Sequence, residues 1–390
     1  MIHDVAIIGA GPAGLCLARA LSGQGLSIVL LERQAETALA DPAFDGREIA
    51  LTHASQALLE HLGLWQRLPA EEVAVLRDAQ VLNGPSLFAL KIEAGQAGAD
   101  RLGHLVANRA IRRAAYEAVQ ACADVQLRCE VAVTAIRHHE REVELELAGG
   151  ELLRTRLLVA ADSRFSETRR QLGIGARLKD FGKTMLVCRM DHEKPHRQTA
   201  WEWFGYGQTL ALLPLNGEQS SVVLTLPPRE IERLRALDED AFAREMERRF
   251  DRRLGAMRLA SERHAYPLVG AYAEKLVGPR CALIGDAAVG MHPVTAHGFN
   301  FGLGSVQRLS AAVLAAKARR EDIAAPSVLA RYARQHRLAT WPLYQATNLL
   351  VDVYTDDRLP LKLLRGAGLR VAQGLLPLKK GIARHLTSPG

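Results

Sequence analysis

The sequence is poor in cysteine, and its five cysteines form no recognisable pair. Cys16, Cys122, Cys129, Cys188 and Cys281 are scattered, without a C-x-x-C or a metal-ligand spacing. A disulfide framework and a bound metal are therefore not expected, and a reduced, cytoplasmic setting is. No run of eighteen apolar residues occurs, so nothing in the chain reads as a membrane-spanning helix. The chain opens directly on a strand-like segment, and no signal peptide is expected. Internal repeats and low-complexity linkers are also missing. Acidic residues are absent from one long stretch, Arg358 to Gly390, which holds seven Lys or Arg among many leucines. A basic, leucine-rich tail can lie on anionic lipid, or it can pack on its own domain or on a partner subunit; both readings stand. Nucleic acid is not expected, because no aromatic-rich basic groove or reading motif accompanies the charge.

With 48% hydrophobic and 24% charged residues, the composition is that of a soluble globular protein. A length of 390 residues suggests two domains with a helical extension. The most informative segment is the first one. Val5, Ala6, Ile7 and Ile8 form an apolar run suited to a parallel strand buried on both faces. Gly9, Gly11 and Gly14 follow, then a helix from Ala13 to Leu21, a break at Gly23 and Gly25, and a second strand from Ser27 to Leu31 closed by Glu32. Strand, glycine turn, helix, strand and acid together predict a dinucleotide-binding unit. In such a unit the first glycine makes the turn, the second admits a pyrophosphate and the third lets helix and strand pack closely. Phosphate charge falls on the helix N-terminus, and the acid accepts ribose hydroxyls. An ADP-containing cofactor is implied, either NAD or FAD.

Downstream, Asp45-Gly46-Arg47 leads into an apolar turn and a helix from Ser55 to Leu62. Arg47 reads as a cofactor contact or, by spacing alone, as a surface arginine. Ala74 to Glu93 reads as strands and loop, and Asn108 to Cys122 as a helix. Strands are expected over Val131 to Ile136, Val143 to Leu147 and Leu152 to Ala160, with Gly149-Gly150 as a hairpin turn. The last of them runs into Asp162. Thr184 to Leu226 is strand-rich and is the best candidate for a second, sheet-built domain; Pro228 to Phe250 reads as one charged amphipathic helix. A buried strand then ends in Gly285-Asp286, followed by His292, Pro293 and a glycine-bearing loop that opens a long helix. Asp162 and Asp286 can hold sugar or ribityl hydroxyls, or serve as turn and capping residues.

These motifs, in this order and spacing over nearly the whole chain, resemble the FAD-dependent aromatic hydroxylases of the p-hydroxybenzoate hydroxylase class. Arg47-Glu48-Ile49-Ala50-Leu51-Thr52 and the loop from His292 to Gly302 most resemble the ubiquinone-biosynthesis hydroxylases. The 5-demethoxyubiquinol hydroxylase branch is favoured. The resemblance implies an α/β fold. A Rossmann-like FAD-binding domain would comprise residues 1–73, 101–178 and 268–325. A sheet-rich substrate domain would be inserted as 74–100 and 179–267, with a helical region over 326–390. It also implies that Gly9, Gly11, Pro12, Ala13, Gly14, Glu32, Arg33 and Arg47 bind the ADP half and pyrophosphate of FAD. Asn108, Val131 and Asp162 match further cofactor positions, and Gly285 and Asp286 match those that hold ribityl and phosphate groups. The backbone from Pro293 through Gly298, Phe299 and Asn300 would approach the flavin ring. The chain departs from the class at Ser163, Val289 and Ala296-His297, where glycine, a His or Gln, and Gly-Gln are common.

In enzymes of this class a flavin hydroperoxide delivers oxygen to an electron-rich ring, and the cofactor carries the hard chemistry. That accounts for the lack of a nucleophile-base-acid constellation. His292 and His297 are candidates for tuning proton transfer. No second G-x-G-x-x-G is present, so NAD(P)H or another reductant is expected to act transiently, with O2 as co-substrate. A prenylated quinone precursor is the implied substrate. Peripheral contact with the inner membrane through the tail and membership of a biosynthetic complex would follow. Two further readings are a flavin-dependent prenyl reductase and a non-catalytic flavin-holding scaffold. A flavin disulfide reductase would need a redox cysteine pair that is not there.

Overall fold

The computed structural model describes residues 2–84, 89–205, 207–292 and 297–355, together with 381, 383, 386 and 387. Five strands run parallel at the centre of the first sheet, in the order Cys281–Leu283, Leu152–Ala160, Ile2–Ile8, Ile28–Leu31 and Val125–Arg128. Val5, Ala6, Ile7 and the neighbouring Leu30 and Leu158 are wholly buried, as a continuous apolar run between two layers requires. The helix Pro12–Leu21 covers one face with Cys16, Leu17 and Ala18. The hairpin of Val133–His138 and Val143–Leu147 joins this sheet antiparallel to Leu152–Ala160. Val125–Arg128 was not among the expected strands. It is a four-residue edge strand with little buried apolar surface, and it leaves no periodic signal.

The turn after Ile8 shows why glycine recurs there. Gly9 has φ +106°, and a side chain on it would meet the Ala161 carbonyl oxygen at 2.7 Å. A side chain at Gly14 would meet the Gly9 carbonyl oxygen at 2.0 Å. The turn therefore packs simultaneously on its own helix and on the end of the neighbouring strand.

A second sheet runs in the order Val289–Gly290, His264–Ala273, Ala176–His192, Gln219–Leu226, Gln208–Pro214, Thr199–Gly205, Asp78–Asn83 and Ala89–Glu93, with Met257–Leu259 beside Ala176–His192. Side chains alternate across it with the period of a strand. Leu186, Cys188, Leu210, Leu212, Val222 and Leu224 face a core closed by Ile231, Leu234, Phe242 and Met246. Those four belong to two helices, Pro228–Arg235 and Glu239–Arg249. The single helix expected over Pro228 to Phe250 is thus divided. Asp238 accepts a hydrogen bond from the Ala241 N–H at 2.7 Å and starts the second helix as its N-cap.

The opposite face of that sheet is turned toward a small third sheet of Glu48–Leu51, Gly103–Ala107 and Val73–Leu76. The helix His53–His61 begins earlier than expected, because Thr52 caps it by accepting from the Ser55 N–H. Two long helices, Gly298–Ala318 and Pro326–Thr355, complete the described fold. Ala383 and the partly buried Leu386 pack with Ile92, Ala94 and Leu102. Apart from Gly381, Ala383, Leu386 and Thr387, the basic tail from Arg358 on lies outside the described residues. No described helix is long and apolar enough to cross a membrane.

Replacing Gly14 by alanine drives a methyl group into the Gly9 carbonyl. Urea unfolding of the variant is expected to show a loss of about 2 kcal/mol or more, the range for a group forced into a packed interior.

Candidate functional site

Three chain segments meet at the carboxyl ends of the parallel strands. The first is the glycine turn. The Glu32 carboxylate accepts from the Ala10 N–H at 2.7 Å and the Gln34 N–H at 2.9 Å, so it braces the turn from the end of the second strand. The Val131 N–H donates to the Glu32 carbonyl at 2.8 Å and fixes the same corner from outside. Arg33 is exposed and pairs with Glu167 at 3.4 Å. Helix Pro12–Leu21 starts at Gly11 with no capping side chain and no acid in its first turn.

The second segment follows Ala160. Asp162 accepts from the Ser166 hydroxyl at 2.5 Å and the Thr168 N–H at 3.2 Å. Its carboxylate is engaged with a short helix, as a turn and capping residue would be. The third segment carries Gly285, whose N–H donates to the Ser305 hydroxyl at 3.0 Å, and Asp286, whose carboxylate lies 3.4 Å from Arg164. Arg169 ties the last two segments together by donating to the carbonyls of Arg164 at 3.1 Å and Ala287 at 2.9 Å. Ala13 touches the third segment, since a side chain on Gly285 would meet its methyl group at 2.9 Å.

Arg47 enters beside these loops. Its guanidinium bonds Asp45 through Nη2 at 2.6 Å and Nε at 3.0 Å, and Asn108 donates to the same carboxylate at 2.7 Å. Burial pushes the Asp45 carboxyl up, but the hydrogen bond and charge of Arg47, with Asn108, outweigh it and hold the group below its ordinary range. Tyr266 completes the cluster by donating to the Asp45 carbonyl at 2.7 Å, with Arg47 over its ring.

Helix Gly298–Ala318 starts at the same place, with no capping side chain among the described residues and no acid in its first turn. Asn300 donates to the Ala50 carbonyl at 2.9 Å and accepts from the Thr52 N–H at 3.2 Å, which pins the helix start to the third sheet. The His297 ring lies 6.0 Å from that of Phe301. His292 is buried edge-on against Phe181 at 4.7 Å, and burial, aided by Lys179, lowers its pKa to about 4. It is neutral at neutral pH, so it donates no imidazolium proton there. Pro293 lies outside the described residues.

Between these loops and the free face of the second sheet lies a cavity of about 530 Å³, inside the roughly 300–1,000 Å³ range of small-molecule sites. Arg47, Asn108, Asp286, Gly298 and Phe299 line it on the loop side. Met185, Val187, Ala211, Leu213 and Val223 line it on the sheet side. Arg164, Tyr266, Glu48 and Glu202 also line it, and sequence reasoning singled out none of them as site residues. Glu48 is bridged to Arg189 at 2.7 Å, and Arg189 to Glu72 at 2.8 Å, which joins the third sheet to the second at the cavity wall. Burial outweighs Arg189 and raises the Glu48 carboxyl to about 7.

The residues present fit an FAD. A side chain on Gly11 or on Gly298 would meet nothing within 4 Å, so both glycines border open space that a ligand can fill. Both stand at helix starts whose first N–H groups have no side-chain cap, an arrangement that suits anionic groups. Gly11→Val is therefore expected to fold with an apoprotein melting temperature close to that of the parent while its FAD content falls at least about tenfold, a loss of one good phosphate contact. Flavin absorbance after purification measures it.

Comparison with known proteins agrees with this geometry. Residues 3–347 match the FAD binding domain family. The chain is 46% identical to ubiquinone hydroxylase UbiM of Neisseria meningitidis, over 98% of this chain and 84% of that one. It is 29% identical to 3-demethoxyubiquinol 3-hydroxylase of Escherichia coli, over 98% and 97%. The crystal structure of p-nitrophenol 4-monooxygenase PnpA from Pseudomonas putida superposes with a TM-score of 0.78 at 19% identity, covering 98% of this chain and 97% of that one, a likeness of fold. The chain belongs to the FAD binding domain family and is, within it, an FAD-dependent monooxygenase related to the ubiquinone hydroxylases.

Proposed function

We propose that this enzyme hydroxylates the aromatic ring of a prenylated ubiquinone precursor, with 5-demethoxyubiquinol as the favoured substrate. The observation that carries the reading is the continuous cavity, bounded by the cofactor loops on one side and by an apolar sheet face on the other. The names of the relatives support the substrate class. Bound and reduced, FAD supplies the activation of O2 and the transfer of one oxygen atom to a ring carbon.

The chain's own residues do the rest. The Gly9 to Gly14 turn, Glu32, Arg47, Asp286 and the start of helix Gly298–Ala318 would hold the cofactor. Met185, Val187, Leu213, Val223 and Phe299 keep the space beside it apolar, which favours a flat ring and excludes water that would divert oxygen to peroxide. Arg47 neutralises Asp45 and Asn108 donates to the same carboxylate, so the loop side presents paired charge. His292 adds bulk and no charge.

Purified holoenzyme given NAD(P)H or another reductant, 18O2 and a short-tailed demethoxyubiquinol is expected to yield a product carrying one 18O atom. Reduction of a prenyl double bond without oxygen incorporation would favour the reductase reading, and substrate-independent flavin reoxidation would favour the scaffold.

Such a substrate is held in a membrane, and we propose that the basic, leucine-rich segment after Arg358 brings the enzyme to it. Removing that segment is expected to lower sedimentation with anionic liposomes and leave FAD content unchanged. Undiminished binding would refute the role, and the melting temperature controls for the packing of Ala383.

A further inference from the structure

Among the described residues, Glu202 is the one carboxyl that the second sheet contributes to the lining of the cavity, beside the hydroxyls of Thr209, Ser221 and Thr225. Its strand, Thr199–Gly205, alternates strictly. Trp201 and Trp203 point to the opposite face, where Arg253 lies over both rings, at 5.9 and 4.8 Å, and the helix-covered core begins. Glu202 therefore points with the cavity face. Its register neighbours are Val81 on one side and Ala211 on the other, and beyond Ala211 come Val223 and Val187. None of these four has a polar side chain. No hydrogen bond or ion pair to the Glu202 carboxyl occurs among the described residues.

Glu202 itself is half-buried, with its carboxyl open to the cavity, while Ser221 on the same wall is a second polar group without a partner among the described residues. Ser221 is fully buried, and its hydroxyl has no partner among the described residues. Buried polar groups in folded proteins are nearly always satisfied, and those that are not point to a ligand or a water. An acid in apolar surroundings is costly to ionise, so it is retained as a neutral group that can donate a hydrogen bond. Here burial alone raises the carboxyl to about 8.

We propose that Glu202 holds an oxygen substituent of the aromatic substrate by donating a hydrogen bond from its carboxyl, and so fixes which ring carbon faces the cofactor. This rests on the reading above that the substrate is an oxygen-substituted ring. A hydrophobic pocket alone discriminates poorly between ring orientations of similar shape, whereas a buried polar group left unpaired penalises the wrong one. The other titratable or charged groups facing the cavity are Arg47, Glu48, Arg164, Tyr266, Asp286 and His292. Of these, His292 titrates near 4, Tyr266 is raised above its ordinary value, and Glu48, paired with Arg189, is raised by burial to about 7, so its titration is present in parent and Gln variant alike and only the limb above it reports Glu202.

The test compares holoenzyme with Glu202→Leu and Glu202→Gln, using short-tailed demethoxyubiquinol as probe. For Glu202→Leu, FAD content is expected to hold, while hydroxylated product per reductant consumed falls about tenfold, the balance appearing as peroxide or as a hydroxyl on a different carbon. Glu202→Gln, which still donates, is expected to restore most of the coupling at pH 7. The parent enzyme is expected to lose kcat/KM above about pH 8, as the carboxyl ionises and stops donating, and the Gln variant to lack that limb. Wild-type coupling and regiochemistry in Glu202→Leu would overturn the proposal, as would a Gln variant that keeps the high-pH limb. Should the Leu variant not fold, the Gln pH profile decides alone. No turnover by the parent enzyme would instead count against the substrate reading.

Discussion

The architecture depends on one close approach: the turn after the first strand touches both its own helix and the end of the strand beside it. At Gly9 there is no room for a side chain against Ala161, and at Gly14 none against Gly9. Because those contacts are backbone to backbone, neither can yield by a rotamer change. Ala13 is then carried against Gly285, and the ends of three strands that are distant in sequence are brought to one point. Every feature of the cofactor side of the cavity is hung from it. The Glu32 brace, the hydrogen bonds of Asp162 to Ser166 and Thr168, and the Arg169 crosslink each hold one segment in place around that crossing.

The sheet side of the cavity has a different origin. It arises from alternation in strands whose even and odd residues meet different environments, helices below and open space above. The ion pairs of Glu48 with Arg189 and of Arg189 with Glu72 then set the distance between the sheets. Breaking one partner of such a buried group strands the other charge, so the cluster is more important for geometry than for net stability. Phe44 sits under both Arg109 and Arg189 and fills the gap between them.

How much of this is legible in the sequence follows from the kind of constraint. The glycine turn was readable because only glycine satisfies it. The strands Val143–Leu147 and Leu152–Ala160 were readable because burial imposes a pattern on them. Val125–Arg128 was not, because an edge strand needs little apolar surface. The division at Asp238 carried a local signal, an aspartate followed by Glu239 and Asp240, but the continuous charge pattern concealed it. Arg47 was visible as a candidate, whereas its dependence on Asp45 and Asn108 requires a contact across 63 positions. Glu202 was invisible for a further reason. A glutamate between two tryptophans reads as the exposed side of a half-buried strand, and only the third dimension shows that its side faces a cavity.

Charge is distributed unevenly between the two sides of that cavity, and the difference bears on how a ring can bind. On the cofactor side Arg47 and Arg164 are matched by Asp45 and Asp286, so they can meet phosphate or flavin polarity without leaving bare charge. The sheet side offers one carboxyl, Glu202, and the hydroxyls of Thr209, Ser221 and Thr225 in an otherwise apolar surface. An apolar ring gains from contact with such a wall wherever it lies, and non-directional burial cannot choose between its carbons. Direction must come from the few polar groups, whose hydrogen bonds are strong in a medium of low dielectric and costly when unmade. On a wall whose other polar groups are three hydroxyls, the single carboxyl is the strongest hydrogen-bond donor able to select an orientation, and the more completely water is excluded, the sharper that selection becomes.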